Sequence, residues 1–578
     1  MSPRTGVDFD IAEIPFSMRG SWLDLSPVVA LNNRQDDIHL VSHQSGMHGI
    51  LRLVPERDGA RVSTENSATP ATLAWRDEEG GRIEAVFESL DTIRLRGQGL
   101  QLRLADAGGK LTPFTGTFLF RDPRDGSAIF TSYESGRRYR VTSISGELRF
   151  DGAEALGAHS RAVIASGADG WELAVEEFES ARVPYSTSNN FEALVARSAA
   201  AFDDYAELHS SWRGDAPDAA ERAAYVLWSA TVAPRGFLRR ESVLMSKHWM
   251  DKLWSWDHCF NAFAFAPADL DAAMDQFLAP FDLQDASGAL PDSITHSEVL
   301  YNFVKPPIHG WAFTRIRERA NSEIDRSVVE EVYLKLARWT RFWLDFRRAP
   351  GHALAHYQHG NDSGWDNSTA FDNDRVIESP DLAAFLVIQL DVLAELATEL
   401  GVEGAEEWAD ERDTVLSALL ELWDGEHFFA RSVEDGRRSK TTSLLTLLPI
   451  LAAKYLPTEI TTKLAADIAE HVTPWGPATQ RLDSPEYESD GYWRGPIWAP
   501  STVIIEDGLR RAGHVELADR VSEGFRSLCE RSGFAENFDA VTGEGLRDRA
   551  YTWTASAYLL LAHEASVRRP TSRHPTAG

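Results

Sequence analysis

The chain has 578 residues, of which 43% are hydrophobic and 25% charged, and a formal net charge of −30. That length is too great for one ordinary core, so at least two domains are expected, of normal soluble composition. The acidity argues against a nucleic-acid groove or an anionic membrane surface as partner, because both would repel it.

The opening residues Met1 to Asp10 contain no apolar run, so no signal peptide is expected. No stretch of about 18 apolar residues occurs, so no membrane span is expected and the reading is a cytoplasmic protein. Two cysteines, Cys259 and Cys529, lack the spacing of a disulfide framework or a structural zinc site. No metal and no organic cofactor is expected.

Residues 1–185 read as β. Strand alternation is plain in Thr92-Ile-Arg-Leu-Arg96 and Leu100-Gln-Leu-Arg-Leu104, with a Gly97-Gln-Gly99 turn between them. It continues in Arg138-Tyr-Arg-Val-Thr142 and Glu147-Leu-Arg-Phe150, punctuated by Asp58-Gly59, Gly80-Gly81 and Ser145-Gly146. No βαβ rhythm is visible, so an antiparallel β-sandwich is predicted.

From about residue 190 the period becomes helical. Amphipathic helices are predicted at Phe191 to Trp212, Ala219 to Val232, Val328 to Phe346, Pro380 to Leu400 and Glu407 to Leu422. Others follow at Glu459 to His471, Pro496 to Ala512, Val515 to Arg531 and Tyr551 to Glu564. About a dozen helices in this part suggest helix pairs closing into a toroid over residues 186–566. The tail, 567–578, is small, basic and proline-containing and reads as disordered.

The connections between helices carry the chemistry-bearing residues. Leu253-Trp-Ser-Trp-Asp-His-Cys-Phe260 places Asp257 beside Trp256, where it could grip two sugar hydroxyls or cap a helix. Tyr301 precedes Asn302-Phe-Val-Lys-Pro-Pro-Ile-His-Gly-Trp311, which sets Lys305 and His309 around a rigid Pro-Pro. In His359-Gly-Asn-Asp-Ser-Gly-Trp-Asp-Asn-Ser368, Asp366 follows a tight Ser-Gly turn and an aromatic wall, surroundings that raise a carboxyl pKa towards that of an acid catalyst. A capping aspartate is the plainer alternative, and Asp362 is its competitor.

Asp490-Gly-Tyr-Trp-Arg-Gly-Pro-Ile-Trp498 places Arg494 among aromatics, to hold a carboxylate or sugar hydroxyls or to keep Glu536 ionised, with Pro496 suited to a first helical position. Gly533-Phe-Ala-Glu-Asn-Phe538, ahead of Thr542-Gly-Glu-Gly545, offers Glu536 as a general base or as a plain loop acid, with Glu544 as decoy. Among the 18 tryptophans, Trp256, Trp311, Trp365, Trp493 and Trp498 stand beside glycine, proline and carboxylates instead of at helical spacing. Aromatic faces of this kind commonly bind carbohydrate.

Together these segments resemble the clan of inverting (α/α)6-barrel glycosidases that includes trehalase, and most closely glycoside hydrolase family 63, with its α-glucosidases and its mannosylglycerate and glucosylglycerate hydrolases. The pieces that carry the resemblance are Trp256-Asp257 with Phe260, Lys305-Pro-Pro307, Ser363-Gly-Trp-Asp366, Trp493-Arg-Gly-Pro-Ile-Trp498, and Glu536-Asn-Phe538 before Thr542-Gly-Glu-Gly545. The resemblance implies a β-sandwich followed by an all-α (α/α)6 toroid, with Asp366 as general acid and Glu536 as general base. It implies that Asp257, Trp256, Lys305 and Arg494 shape the subsite for the terminal sugar.

The reaction so implied is hydrolysis of an α-linked glycoside with inversion, the two carboxyls standing roughly 6.5–9.5 Å apart to admit a water. The expected partner is a small carbohydrate. An α-glucoside attacked from its end is the first choice, and a glucosyl- or mannosyl-glycerate the alternative. Tyr301, His309 and Tyr492 are candidates for deciding sugar and linkage. Two rivals are a phosphorylase or lyase on a similar toroid, and a sugar-binding protein without turnover.

Overall fold

The computed structural model describes residues 7–30, 33–108, 117–153, 160–213 and 218–568. The predicted disordered tail lies, from residue 569 onward, outside the described residues. The chain forms two compact units. One comprises Met1–Leu208, Ala224–Lys252 and Thr295–Glu298; the other comprises His209–Ala223, Leu253–Ile294 and Val299–Gly578.

The first unit is built on strands β1 (Leu23–Ala30), β2 (Asn33–Ser42), β3 (His48–Arg57), β4 (Ala60–Arg61), β5 (Glu65–Ala68), β6 (Leu73–Arg76) and β7 (Arg82–Ser89). They continue as β8 (Thr92–Gln98), β9 (Gln101–Asp106), β10 (Thr117–Arg121), β11 (Ala128–Ser132), β12 (Arg138–Ser145), β13 (Glu147–Asp151), β14 (Ala162–Ser166) and β15 (Trp171–Phe178). One sheet runs β1-β2-β3-β9-β14-β13, with β4 on β3; the other runs β10-β11-β12-β15-β8-β7-β6-β5. All their pairings are antiparallel.

The turns at Gly97-Gln-Gly99 and Ser145-Gly146 therefore do not close hairpins. Each hands the chain from one sheet to the other, β8 to β9 and β12 to β13. Gly97 is required there because a Cβ would collide with the Trp171 indole, whose Nε1 donates to the Leu100 carbonyl at 2.7 Å. Period-two burial supplies the core: Leu102 and Leu104 of β9, and Leu173 and Val175 of β15, are fully buried.

The helices are α1 (Phe191–Ser210), α2 (Asp218–Ala230), α3 (Asp257–Phe265), α4 (Leu270–Leu278), α5 (His309–Arg319) and α6 (Arg326–Phe346). They continue as α7 (Pro380–Leu400), α8 (Ala405–Glu421), α9 (Thr458–His471), α10 (Ala499–Arg511), α11 (Val515–Ser532) and α12 (Thr552–Arg568). A 3₁₀ helix, Leu444–Tyr455, precedes α9, and Pro449 inside it removes a backbone donor that an α-helix would need.

In the second unit α3, α5, α7, the 3₁₀ helix, α10 and α12 touch in that order, and α12 closes back on α3. This is the inner ring of an (α/α)6 toroid. Burial separates the two layers. Helix α7 is buried on nearly all sides and the residues of α3 are all buried, as inner helices must be. Helices α6, α8 and α11 bury one stripe and face solvent with the other, as outer helices do.

The helices that the sequence pattern misses are α3, α4, α5 and the 3₁₀ helix. The first three are short, and α3 has no polar face to mark a period. Helix α10 starts later than Pro496, at Ala499. Ile497 is extended and exchanges backbone hydrogen bonds with Phe538 at 2.8 and 3.0 Å, so Pro500, not Pro496, takes the early helical position. Among the described residues no helix is long and apolar enough to cross a membrane.

Candidate functional site

Inner and outer helices alternate along the chain, so the segments entering the inner helices collect at one mouth of the ring. Five of those segments carry the residues singled out by the sequence. Asp257 is the first residue of α3, Lys305 precedes α5, Asp366 precedes α7, Tyr492 precedes α10 and Glu536 precedes α12. Of these, Asp257 lies in the first turn of its helix, where the partial positive charge of the N-terminus favours a carboxylate.

The loop around Asp366 is shaped by two glycines. Gly360 lets the Asp366 backbone approach so closely that a Cβ would strike its carbonyl oxygen. Gly364, at φ +73°, lies against the Trp256 ring, where a side chain would collide. The Asn367 side chain binds the next wall, accepting from the Trp493 amide at 2.9 Å and donating to the Gly491 carbonyl at 3.0 Å. Asp366 is 29% exposed on its side chain and lies 4.0 Å from the Lys305 ammonium. The Tyr492 phenol lies within its electrostatic reach.

Lys305 is buried and serves several acids. Its Nζ donates to the Asn361 carbonyl at 2.7 Å and pairs with Asp292 at 3.3 Å, and it acts electrostatically on Asp257. Burial pushes the Asp257 carboxyl up to about 7, against the opposing pull of Lys305, and its Oδ2 is buried without a hydrogen-bond partner.

Glu536 sits in a hairpin. Asn537 pairs with Leu546 and Phe538 with Gly545, while the Glu536 amide donates to the Asp548 carbonyl at 2.8 Å. The side chain is buried, and burial, reinforced by the charges of Asp548 and Asp366, pushes its pKa up to about 8 against the pull of Arg547. Burial also raises Asp366, against the pull of Lys305. Each carboxylate makes ionisation of the other harder, so the pair is built to hold a proton near neutral pH.

Behind these groups stands a column of indoles. Trp493 and Trp498 stack 4.0 Å apart and 5° from parallel, Trp365 packs on Trp493 at 4.7 Å, and Trp553 meets Trp498 edge-on at 5.4 Å. Trp365, Trp493 and Trp498 are each 1% exposed, so they brace the loops and present almost no face to solvent.

A family model for the mannosylglycerate hydrolase MGH1-like glycoside hydrolase domain matches residues 250–554, the stretch that contains this site. The chain belongs to that glycoside hydrolase family. It is 25% identical over 401 residues to the mannosylglycerate hydrolase of Rubrobacter radiotolerans, covering 53% of this chain and 89% of that one. It is 24% identical over 449 residues to the glucosylglycerate hydrolase of Mycolicibacterium hassiacum, covering 59% and 96%. A bacterial glucoamylase crystallised with acarbose shares the fold over 97% of this chain and 95% of its own, with TM-score 0.61 at 11% identity. The protein is therefore an O-glycosyl hydrolase of the family-63 type.

Within this glycoside hydrolase the predicted residues take different places. Asp257, Lys305, Asp366, Tyr492 and Glu536 are linked by charge. Asp362 is not a competitor: it accepts from Arg347 at 2.8 Å and from the Val304 and Gln358 amides, and so pins the loop. Glu544 is exposed on the far end of the hairpin. Arg494 ion-pairs with Asp372 and donates to the Asn367 carbonyl at 2.8 Å; the cation acting most on Glu536 is Arg547 instead.

His309 is wholly buried among Phe277, Phe281 and Trp339, its Nε2 donates to the Ser255 carbonyl at 3.0 Å, and it is pushed down to about 4 by burial. Trp311 is 4% exposed and spans inner helices, its Nε1 donating to Asp507 at 2.8 Å. Trp256 is buried against Gly364 and Phe260. Tyr301 is 47% exposed and donates to the Leu283 carbonyl. Asp292, Arg547, Asp548 and Tyr551 were not legible as site residues, because no aromatic or glycine pattern marks them; only the hairpin and Lys305 bring them in.

Proposed function

We propose that this glycosidase hydrolyses an α-linked glycoside of glycerate, a mannosylglycerate or a glucosylglycerate, with inversion at the anomeric carbon. The α-glucosidase reading favoured by motif resemblance gives way here, because the relatives matched along most of their own length are named for glycerate glycosides. Asp366 protonates the leaving oxygen as the C1–O bond breaks. Glu536 takes a proton from water as that water's oxygen bonds to C1 on the opposite face. Asp257 and Lys305, with Asp292 behind them, hold hydroxyls of the terminal sugar.

The observation that carries this reading is the pairing of a buried carboxyl, Glu536, with a partly exposed one, Asp366, from separate ring segments and within each other's field. Mutually repelling carboxyls in unlike surroundings supply one protonated and one ionised member, which acid–base cleavage requires. The test is proton NMR of turnover on mannosylglycerate, glucosylglycerate and neutral α-glucosides. The β-anomer should form first from a glycerate glycoside. Asp366→Asn and Glu536→Gln should each lower kcat by about 10²–10⁴-fold. First formation of the α-anomer, phosphate-dependent turnover or preference for the neutral glucosides would overturn the reading.

A further inference from the structure

Two bulky residues near the site have the left-handed backbone that favours glycine. Among the described residues four non-glycines have positive φ: Ser45, Asp58, Tyr492 and Arg547. The first two precede glycines in turns. Tyr492 (φ +63°) and Arg547 (φ +61°) instead touch each other, the guanidinium lying 5.0 Å over the phenol ring. Unfavourable backbone of this kind persists where the surroundings over-determine it, and it clusters at functional sites.

The hairpin explains the conformation of Arg547. With Asn537 opposite Leu546 and the Glu536 amide bonded to the Asp548 carbonyl, Arg547 is the extra residue of a β-bulge. Bulges re-aim a side chain at the edge of a ladder. Here the guanidinium donates to Asn537 Oδ1 at 2.9 Å and pairs with Asp490 at 2.8 Å. Asp490 is 67% exposed, so that ion pair is weakly held and leaves the cation's field for the interior. Tyr492, whose ring lies under it, stands in the field of both Asp366 and Glu536.

We propose that Arg547 is a positioning residue for the proposed base, set across the hairpin from Glu536 and held in place by its contact with Tyr492. The inference rests on the acid–base reading above. Glu536 faces Arg547 and Asp548 from its own hairpin, Asp366 from the segment before α7, Tyr492 from the segment before α10 and Tyr551 at the start of α12. Of these, Arg547 alone is a cation. Burial favours a proton on Glu536, whereas the proposed reaction needs it on Asp366. Arg547 is the group in place to favour the ionised base.

The experiment is the pH dependence of kcat/KM for Arg547→Gly and Arg547→Asn on a glycerate glycoside that the unaltered protein turns over, with melting curves alongside. Both replacements tolerate positive φ, so both variants should melt at or above the parent temperature. Loss of the cation raises the pKa of Glu536, so the acidic limb should move upward by about one pH unit, with about a tenfold loss at neutral pH. A folded variant whose acidic limb coincides with the parent's would overturn the proposal. So would variants that melt far below it, since Arg547 would then be a structural pin. Glu536→Gln, assayed in parallel, separates the two levels: full activity in that variant defeats the acid–base reading itself, whatever Arg547 does.

Discussion

A carboxyl that keeps its proton near neutral pH makes the native state less favourable as pH rises. Glu536 is pushed up to about 8 and Asp257 to about 7, both by burial, from the ordinary carboxylate range. Between about pH 5 and pH 8 the unfolded chain has already released these protons while the native state retains them, so the stability they contribute at low pH is lost across that window. Glu536→Gln and Asp257→Asn should therefore melt with the parent at about pH 4.5 and above it at about pH 8, as differential scanning calorimetry would show. Asp366, Glu536 and Asp257 stand out in the sequence as candidates because glycines or aromatic residues flank them. Arg547 was not, because its role depends on a bulge that exists only once the hairpin has paired. His309 and Trp311 show the converse: motif neighbours of Lys305, they are turned by the first turns of α5 into the aromatic core.

At the scale of elements, the segments entering the ring helices are held by the indole column. Trp493 bridges the segment before α10 to Trp365 in the segment before α7, and through Trp498 to Trp553 of α12. Trp493→Ala would leave a large cavity among the segments that carry Trp365, Trp498 and Trp553 and should cost about 3–5 kcal/mol. The expected outcome is a lower denaturant midpoint together with a loss of kcat larger than any change in KM. The sequence pattern recovered the long amphipathic helices, since period and length are local properties. It missed α3, α4 and α5, which are short, the first of them buried on all sides, and the 3₁₀ helix, where a proline erases the period. The β9 and β13 strands were legible as strands, yet their sheet membership was not, because nothing local states which neighbour a strand will pair with.

At the scale of the whole molecule, a net charge of −30 sets a repulsive field for an anionic substrate. If the substrate is a glycerate glycoside, kcat/KM should rise by roughly two- to fivefold between low and physiological ionic strength as that field is screened. A neutral α-glucoside assayed across the same salt range should show no such rise, and initial-rate measurements on the two substrates would check this. Soluble composition, the division into a β part and a helical part, and the candidate carboxylates were all determined by the sequence by itself, since each depends on local pattern and on residue type. Only the tertiary structure decided that six of the described helices close into a ring, that Lys305 serves three acids, and that Arg547 and Tyr492 come into contact. These are relations between distant segments, and the physical terms that create them, burial and the fields of neighbouring charges, do not exist until the chain has folded.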